Sequence, residues 1–377
     1  MKIVMIVVNT SWNIYNFRLN LMRALQQNGF RVVALAPRDN YSVKLQKEGF
    51  EWIELPFDNS STNPLKELVQ IKKFHNIYKN INPNILLHYT IKPNIYGTLA
   101  AKLLKIPVIN NVSGLGTIFL NNNLSSKIAK QLYKFSFKYV NKVFFQNDDD
   151  LEFFIKNRLI TSQYTDRIPG SGIDIDSFKI SDNRLNGDND ITFLLVARLI
   201  REKGIEEYID AIKMIKEVNL NTNKKVKFQI IGDLYPSNPS AIQEDELKSW
   251  IDDGLIEYLG YQDDVKSFIE KASCIVLPSY REGLSKSLLE AASMERPIIT
   301  TDVSGCRDVV DDGINGYLCN VKDSNSLKNQ LIKMIELSPQ DRENMGKRGR
   351  KKVINEFSDE RVINKYLSSI HTILSDN

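Results

Sequence analysis

The sequence predicts an α/β protein with two doubly wound parallel-sheet domains. Strand-length apolar runs alternate with segments of helical apolar spacing in both halves of the chain, the rhythm of parallel strands joined by crossover helices. At 377 residues the chain exceeds one ordinary domain and suits two. Between the halves, Ser181-Asp-Asn-Arg-Leu-Asn-Gly-Asp-Asn-Asp190 has turn composition and little apolar content, which makes it the candidate linker.

Ile3 to Val8 forms the first predicted strand. Its apolar run stops at Asn9 and Trp12-Asn13-Ile14 follows, so it reads as a buried strand rather than a signal segment. A helix is predicted from about Phe17 to Asn28, then a strand over Arg31 to Leu35. Further first-half strands are Ile85 to His88, Val108 to Asn111 and Lys142 to Gln146. In the second half the strands are Thr192 to Val196, Lys227 to Ile231, Ile256 to Leu259, Cys274 to Leu277 and Pro297 to Thr300. After Ser358, Val362, Ile363, Tyr366, Leu367, Ile370 and Ile373 mark a final helix. The predicted divisions are 1–180, 181–357 and a terminal helix over 358–377.

Hydrophobic content of 42% and charged content of 25% describe a soluble globular chain rather than a disordered one. Cys274, Cys306 and Cys319 form no close ligand cluster and leave an odd count, which favours a reduced, cytoplasmic compartment over a disulfide framework. No stretch approaches the roughly 18 apolar residues of a membrane span. Charge is divided unevenly: residues 1–180 hold 23 Lys plus Arg against 13 acids, and the remainder 27 against 33. From Leu68 to Asn147 there are 11 lysines and no acid. Lys127, Lys130, Lys134 and Lys138 recur at helical spacing among Ile128, Leu132, Phe135, Phe137 and Tyr139, a pattern suited to an anionic membrane surface. No RNA- or DNA-binding module accompanies the lysines, so nucleic acid is not an expected partner. An ordinary amphipathic helix with solvated lysines is the plainer alternative.

Two motifs carry chemistry. Ser279-Tyr-Arg-Glu-Gly-Leu-Ser-Lys-Ser-Leu-Leu-Glu-Ala-Ala292 places Glu282 and Glu290 eight residues apart around a strand-to-helix turn. Gly283 lets backbone approach a ligand, and the helix start offers free N–H groups to phosphate or sugar oxygens. Glu290 is expected about two turns beyond Glu282, roughly 10 Å along the axis. Upstream, the strand ending at Val196 leads to Arg198 and Lys203, cations suited to a diphosphate. Each motif alone is weak, since two spaced glutamates also describe a solvated helix face. Together they offer cations for phosphates and carboxylates for hydroxyls, the composition of a nucleotide-sugar site.

From Thr192 to Cys319 the chain resembles the C-terminal half of glycosyltransferase family 4, retaining enzymes of GT-B architecture. The resemblance rests on ordered blocks: Val196-Ala-Arg-Leu with Lys203-Gly204, Ile230-Ile-Gly-Asp233, Tyr258-Leu-Gly-Tyr-Gln-Asp-Asp264, Leu277-Pro-Ser-Tyr-Arg-Glu-Gly283, Glu290-Ala-Ala, and Thr301-Asp-Val-Ser-Gly-Cys-Arg-Asp308 with Asp312-Gly-Ile-Asn-Gly316. In the first half, Tyr15-Asn-Phe-Arg18, Tyr89-Thr-Ile-Lys-Pro-Asn-Ile-Tyr-Gly97 and Asn111-Val-Ser-Gly-Leu-Gly116 resemble a narrower branch acting on undecaprenyl-diphosphate-linked sugars, including N-acetylgalactosaminyltransferases.

The resemblance implies two Rossmann-like domains facing across a cleft, with the terminal helix crossing back to the first. It implies retaining transfer from a UDP-sugar to a lipid-linked saccharide without a metal cofactor, at the inner face of the plasma membrane. Arg198 and Lys203 would stabilise the leaving diphosphate and Glu282 the donor sugar, making these three the catalytic candidates. Gly283 and Leu284 would add backbone contacts, Glu290 would take ribose hydroxyls, and Gly260, Tyr261 and Asp264 would frame the base. For the acceptor the candidates are Arg18, Lys92, Asn94, Ser113 and Gly114. The first turn, Asn9-Thr-Ser-Trp-Asn-Ile-Tyr15, lacks the glycines many members carry, and Ser113 stands where many have a histidine. Ser113, or backbone at Gly114 and Gly116, would substitute for it. Among the histidines His75, His88 and His371, His88 at a strand end reads as structural. Asp148-Asp-Asp150 could hold a metal, but reads as a helix start. A nucleotide-sugar 2-epimerase and a non-catalytic nucleotide-sugar-binding scaffold are the alternative functions.

Overall fold

The structure is a computed structural model describing residues 1–56, 64–115, 124–181, 190–218, 224–236 and 238–376. Most of the predicted linker, residues 182–189, and Gly116 lie outside the described residues. The chain divides into two compact units, Met1–Ser171 with Asp359–Asn377, and Gly172–Ser358. Residues 172–180 belong with the second unit because Ile173, Ile175, Phe178 and Ile180 pack into its core.

The first unit runs β1 (Ile3–Val7), α1 (Ser11–Gln27), β2 (Arg31–Ala36), α2 (Asn40–Lys47), β3 (Glu51–Glu54), α3 (Pro64–Ile81), β4 (Ile85–Tyr89), α4 (Thr98–Leu104), β5 (Val108–Val112), α5 (Leu124–Ser136), β6 (Lys142–Phe145), α6 (Asp148–Lys156) and β7 (Thr165–Arg167). Its described strands form a parallel sheet in the order β3-β2-β1-β4-β5-β6-β7. Val4 and Ile6 face one core while Met5 and Val7 face another. Both faces are therefore covered, which is why the strand is an unbroken apolar run rather than an alternation.

The helix predicted from Phe17 begins six residues earlier. Thr10 is extended and its hydroxyl accepts from the Asn13 N–H, capping the first turn.

The second unit runs β8 (Ile191–Val196), α7 (Ile205–Glu217), β9 (Val226–Ile231), α8 (Glu244–Asp252), β10 (Glu257–Tyr258), α9 (Lys266–Lys271), β11 (Cys274–Leu277), α10 (Lys286–Ser293), β12 (Ile298–Thr301), β13 (Gly316–Cys319), α11 (Ser324–Glu336) and α12 (Pro339–Glu356). Its parallel sheet has the order β10-β9-β8-β11-β12-β13. Phe193 and Leu195 pack into one core and Leu194 into the other. The last helix, α13 (Asp359–Ser375), packs in the first unit. Val362, Tyr366 and Ile370, at helical four-residue spacing, bury among the residues of β1, β2 and β4.

In both sheets chain order reverses once, between β1 and β4 in the first and between β8 and β11 in the second. Loops leaving the carboxyl ends of such strand pairs diverge, and the crevice they leave is where ligands bind in open α/β sheets.

Candidate active site

In the second unit, the strand pair at the reversal supplies the two predicted motifs. β8 ends at Val196, and the chain continues through Arg198 and a single 3₁₀ turn, Arg201–Lys203, into α7. Gly204 joins turn to helix at φ +70°, where an added Cβ would lie 2.0 Å from the Pro278 carbonyl oxygen. That close approach clasps the β8 crossover against the loop leaving β11. The clasp is completed by the Tyr280 N–H donating to the Glu202 carbonyl at 2.8 Å and the Ser279 hydroxyl donating to the same carbonyl at 3.1 Å.

Held this way, Lys203 Nζ forms an ion pair with Glu282 Oε1, and both side chains are largely buried. The Glu282 loop is fixed from its other side by the segment that follows β12. The Glu282 N–H donates to the Ser304 carbonyl and the Ser285 N–H to that of Gly305, both at 3.1 Å. Gly305 has φ +76°, and a Cβ there would stand 2.5 Å from the Glu282 carbonyl oxygen. The loop thus ends in a helix that starts only at Lys286, so Glu290 lies about one turn into α10. The expected two-turn separation from Glu282 does not occur, because Glu282 to Ser285 is loop held by these backbone contacts rather than helix.

Glu290 is buried, with Lys286 Nζ 3.6 Å from its Oε1. Burial raises its pKa above the ordinary carboxylate range, and the nearby Lys286 and Lys266 charges offset only part of that. Arg198 is exposed, its guanidinium 5.6 Å from the Tyr235 ring centroid. Gly283 and Leu284 follow Glu282 on the same loop and are partly buried, Leu284 against the core. Gly260, at φ +68°, accepts the Gly232 N–H at 3.0 Å, which fixes the loop after β10 beside the end of β9. Tyr261 is exposed and donates to Asp263, while Asp264 accepts the Lys266 N–H at the start of α9. Asp264 therefore has a local helix-start role.

One brace is not legible from the motifs. The Tyr280 hydroxyl donates to Glu207 Oε1 at 2.7 Å, and Lys322 Nζ sits 4.7 Å from the Tyr280 ring centroid. Burial and the Glu207 carboxylate both push the Tyr280 hydroxyl's pKa up, so it stays a donor. A tyrosine just ahead of Glu282 and an acid in the first turn of α7 were the available signals.

In the first unit the nominated residues separate into two groups. Asn94 and Ser113 converge on Asn111: Asn94 Nδ2 donates to its carbonyl at 2.8 Å and the exposed Ser113 hydroxyl to its Oδ1 at 2.7 Å. Gly114 follows at φ +119°. Lys92 is drawn instead to Glu67, at 2.8 Å with both side chains largely buried. Arg18 is buried rather than a charge on the helix surface, and its guanidinium lies 4.1 Å from the Tyr89 ring centroid.

His88 is fully buried between the Tyr78 hydroxyl at 3.0 Å and Asn110 Oδ1 at 3.1 Å, and burial lowers its pKa to about 3. Asp148 pairs with Arg167, and Asn147 caps α6 through the Asp150 N–H. These acids start a helix, as their position beside its positive end favours.

Comparison with known proteins adds to this geometry. Residues 176–352 match the family model of glycosyl transferases group 1, and residues 3–147 match that of glycosyl transferase 4-like domains. The chain belongs to glycosyltransferase family 4. This glycosyltransferase is 28% identical over 339 residues to the N,N'-diacetylbacillosaminyl-diphospho-undecaprenol alpha-1,3-N-acetylgalactosaminyltransferase of Campylobacter jejuni, covering 86% of this chain and 87% of that one. It is 25% identical to the UDP-Gal:alpha-D-GlcNAc-diphosphoundecaprenol alpha-1,3-galactosyltransferase of Escherichia coli, over 78% of this chain and 76% of the relative. Among solved structures it resembles a glycosyltransferase from Rickettsia africae, with TM-score 0.79, 18% identity and coverage of 100% and 99% of the two chains. It also resembles Anabaena HepE in complex with UDP and glucose, with TM-score 0.79, 17% identity and coverage of 99% and 100%. The fold class is GT-B. No helix among the described residues is long and apolar enough to cross a membrane.

Proposed function

We propose that this glycosyltransferase moves an N-acetylhexosamine from a UDP-sugar to a saccharide carried on undecaprenyl diphosphate, with retention of anomeric configuration. The observation that carries this reading is the meeting of Lys203 with Glu282 at the β8/β11 reversal, with buried Glu290 on the helix that follows. A lysine for the diphosphate and a carboxylate for the sugar then stand within one ligand's reach. As the glycosidic bond breaks, negative charge grows on the leaving diphosphate. Lys203, with Arg198 on the same crossover, would stabilise that state more than the bound donor and so lower the barrier. In this reading these cations serve the diphosphate without a divalent metal, and Glu290 accepts ribose hydroxyls. The lipid-linked acceptor and the amino-sugar donor are supported by what the Campylobacter relative's name states.

The enzyme would work at the cytoplasmic face of the membrane, held there peripherally by α5. Lys127 and Lys134 are exposed on that helix beside Ile128 and Phe135, while Ala129 and Tyr133 bury its other side. Lys138 follows, and Lys102 Nζ lies 3.6 Å from the Tyr139 ring centroid, extending the basic and aromatic face.

The test is incubation of the purified chain with a panel of UDP-sugars, with and without a short undecaprenyl-diphosphate-saccharide analogue, followed by mass spectrometry. Hexosamine added to the lipid, unaffected by chelator and lost in Arg198→Ala, supports the proposal. An isomerised UDP-sugar without lipid extension would assign an epimerase, and binding without turnover across the acceptors a scaffold; either outcome overturns it.

A further inference from the structure

We propose that Arg18 binds an oxyanion of the acceptor substrate at the strand reversal of the first unit; calling that ligand the acceptor rests on the function proposed above. Arg18 is 3% exposed, yet among the described residues it pairs with no carboxylate. Its Nη1 donates to the Ser171 hydroxyl at 2.8 Å and to the Phe17 carbonyl at 3.4 Å, and its buried Nε has no partner. A guanidinium kept from water without a counter-charge is unfavourable unless something else neutralises it. The fork geometry of an arginine is suited to phosphate or carboxylate oxygens.

The groups that touch the guanidinium are uncharged: the Ser171 hydroxyl, the Phe17 carbonyl and the Tyr89 ring. Tyr89, whose ring carries the guanidinium, ends β4; Arg18 lies on α1, directly after β1, so the two sit at the β1/β4 reversal. From there the polar groups run on to the surface. The Tyr366 hydroxyl accepts from Asn111 Nδ2 at 3.2 Å, and Asn111 Oδ1 accepts from exposed Ser113 and from Gln146. The positive charge of Arg18 is felt along this line, favouring ionisation of both the Tyr89 and Tyr366 hydroxyls against their burial.

Backbone strain marks the same strand end. Thr90 has φ +68°, a conformation costly for a β-branched residue, and its hydroxyl is buried without a partner. The next turns form a π-helix, Pro93–Gly97, a rare form frequent at functional sites. A buried acid-free arginine, an unsatisfied strained threonine and a polar line ending at Ser113 together describe a site for an anionic, hydroxyl-bearing ligand. Two sources supply that chemistry: the diphosphate linking lipid to sugar, or an acidic group on the acceptor saccharide.

The experiment is calorimetric titration of the full-length chain, saturated with UDP to occupy the second unit, using inorganic pyrophosphate and methyl glucuronide as separate probes. Wild type should bind one of them, and Arg18→Met should weaken that binding at least about tenfold while UDP affinity stays unchanged. Pyrophosphate binding assigns the diphosphate, and glucuronide binding the acidic sugar. Equal probe affinity in Arg18→Met, even with reduced thermal stability, would leave Arg18 as a tie between α1 and Ser171 and overturn the proposal; so would binding of neither probe by wild type. If Arg18→Met does not fold, Arg18→Lys, which keeps the charge but not the fork, must show the same selective loss. Failure to bind UDP would instead count against the donor reading, and the probe comparison would then be repeated in an Arg198→Ala background.

Discussion

Lys203 and Glu282, 79 positions apart in sequence, form an ion pair with side chains only 16% and 15% exposed. A donor diphosphate must therefore compete with Glu282 for the lysine. Glu282→Gln releases Lys203 to the phosphates, so UDP should bind this variant at least as tightly as wild type. Transfer should nevertheless fall by about a hundredfold or more, the scale seen when one transition-state contact is removed. Lys203→Ala should weaken UDP and transfer together. The double variant should lose less than the sum of the two, because the residues are coupled. Calorimetry for UDP beside steady-state kinetics separates these outcomes, and additive losses would show that the pair does not act as a unit.

Gly305→Ala is expected to disable the enzyme although it replaces no candidate residue. The new methyl group would stand 2.5 Å from the Glu282 carbonyl oxygen at φ +76°, so the Glu282 loop must move. Strain of this kind costs about 1–3 kcal/mol. Denaturant unfolding should register that loss, and turnover should fall while Tyr280→Phe, which removes only the hydroxyl bound to Glu207, reduces it less.

The contrast between these two sites shows what the sequence makes legible. Apolar runs such as Cys274–Leu277 identified buried strands because both faces of each sheet are covered. Short strands were missed: β3 is Glu-Trp-Ile-Glu and β7 is Thr-Asp-Arg, partly exposed at or near the sheet edges, where burial imposes no apolar pattern. Spacing also brought Lys203 and Glu282 onto one list, yet their pairing depends on contacts at Gly204 and Gly305 that span distant segments. Lys92 illustrates the limit. The resemblance makes it an acceptor candidate, whereas the fold pairs it with Glu67, the last acid before the lysine-rich stretch.

Two buried groups give stability opposite pH dependences. Glu290 has a raised pKa in the folded chain, so the native state holds its proton where the unfolded chain has lost it. Its contribution to stability therefore falls as pH rises from the ordinary carboxylate range through the folded value. His88 is lowered to about 3, so the unfolded chain takes up a proton that the native state refuses between there and the ordinary 6.5. Its contribution is lost as pH falls through that window, at up to about 1.4 kcal/mol per pH unit. Thermal unfolding across this range should show Glu290→Gln gaining on wild type as pH rises, while its UDP affinity drops. The gain should be absent at the acid end, where Glu290 is protonated in both states. A difference that does not vary with pH would mean that Glu290 is not protonated on folding.

Attachment through α5 predicts a division between charge and apolar surface. Lys127 and Lys134 on α5 and Lys138 just after it are exposed, and Ile128 and Phe135 on α5 are about half exposed. Each lysine near an anionic bilayer contributes about 1 kcal/mol, so replacing all three with glutamate should weaken binding to phosphatidylglycerol-containing vesicles by at least about a hundredfold. The remaining lysines of the first unit would supply only diffuse attraction, which salt screens within about 10 Å at 0.1 M. Ile128→Ser with Phe135→Ser should leave the low-salt attraction but remove the part of binding that survives high salt, because that part is apolar burial. Vesicle sedimentation at two salt concentrations distinguishes the two terms. Solvated lysines on an ordinary amphipathic helix would instead leave sedimentation unchanged in both variants, while transfer to a water-soluble acceptor stayed at the wild-type rate.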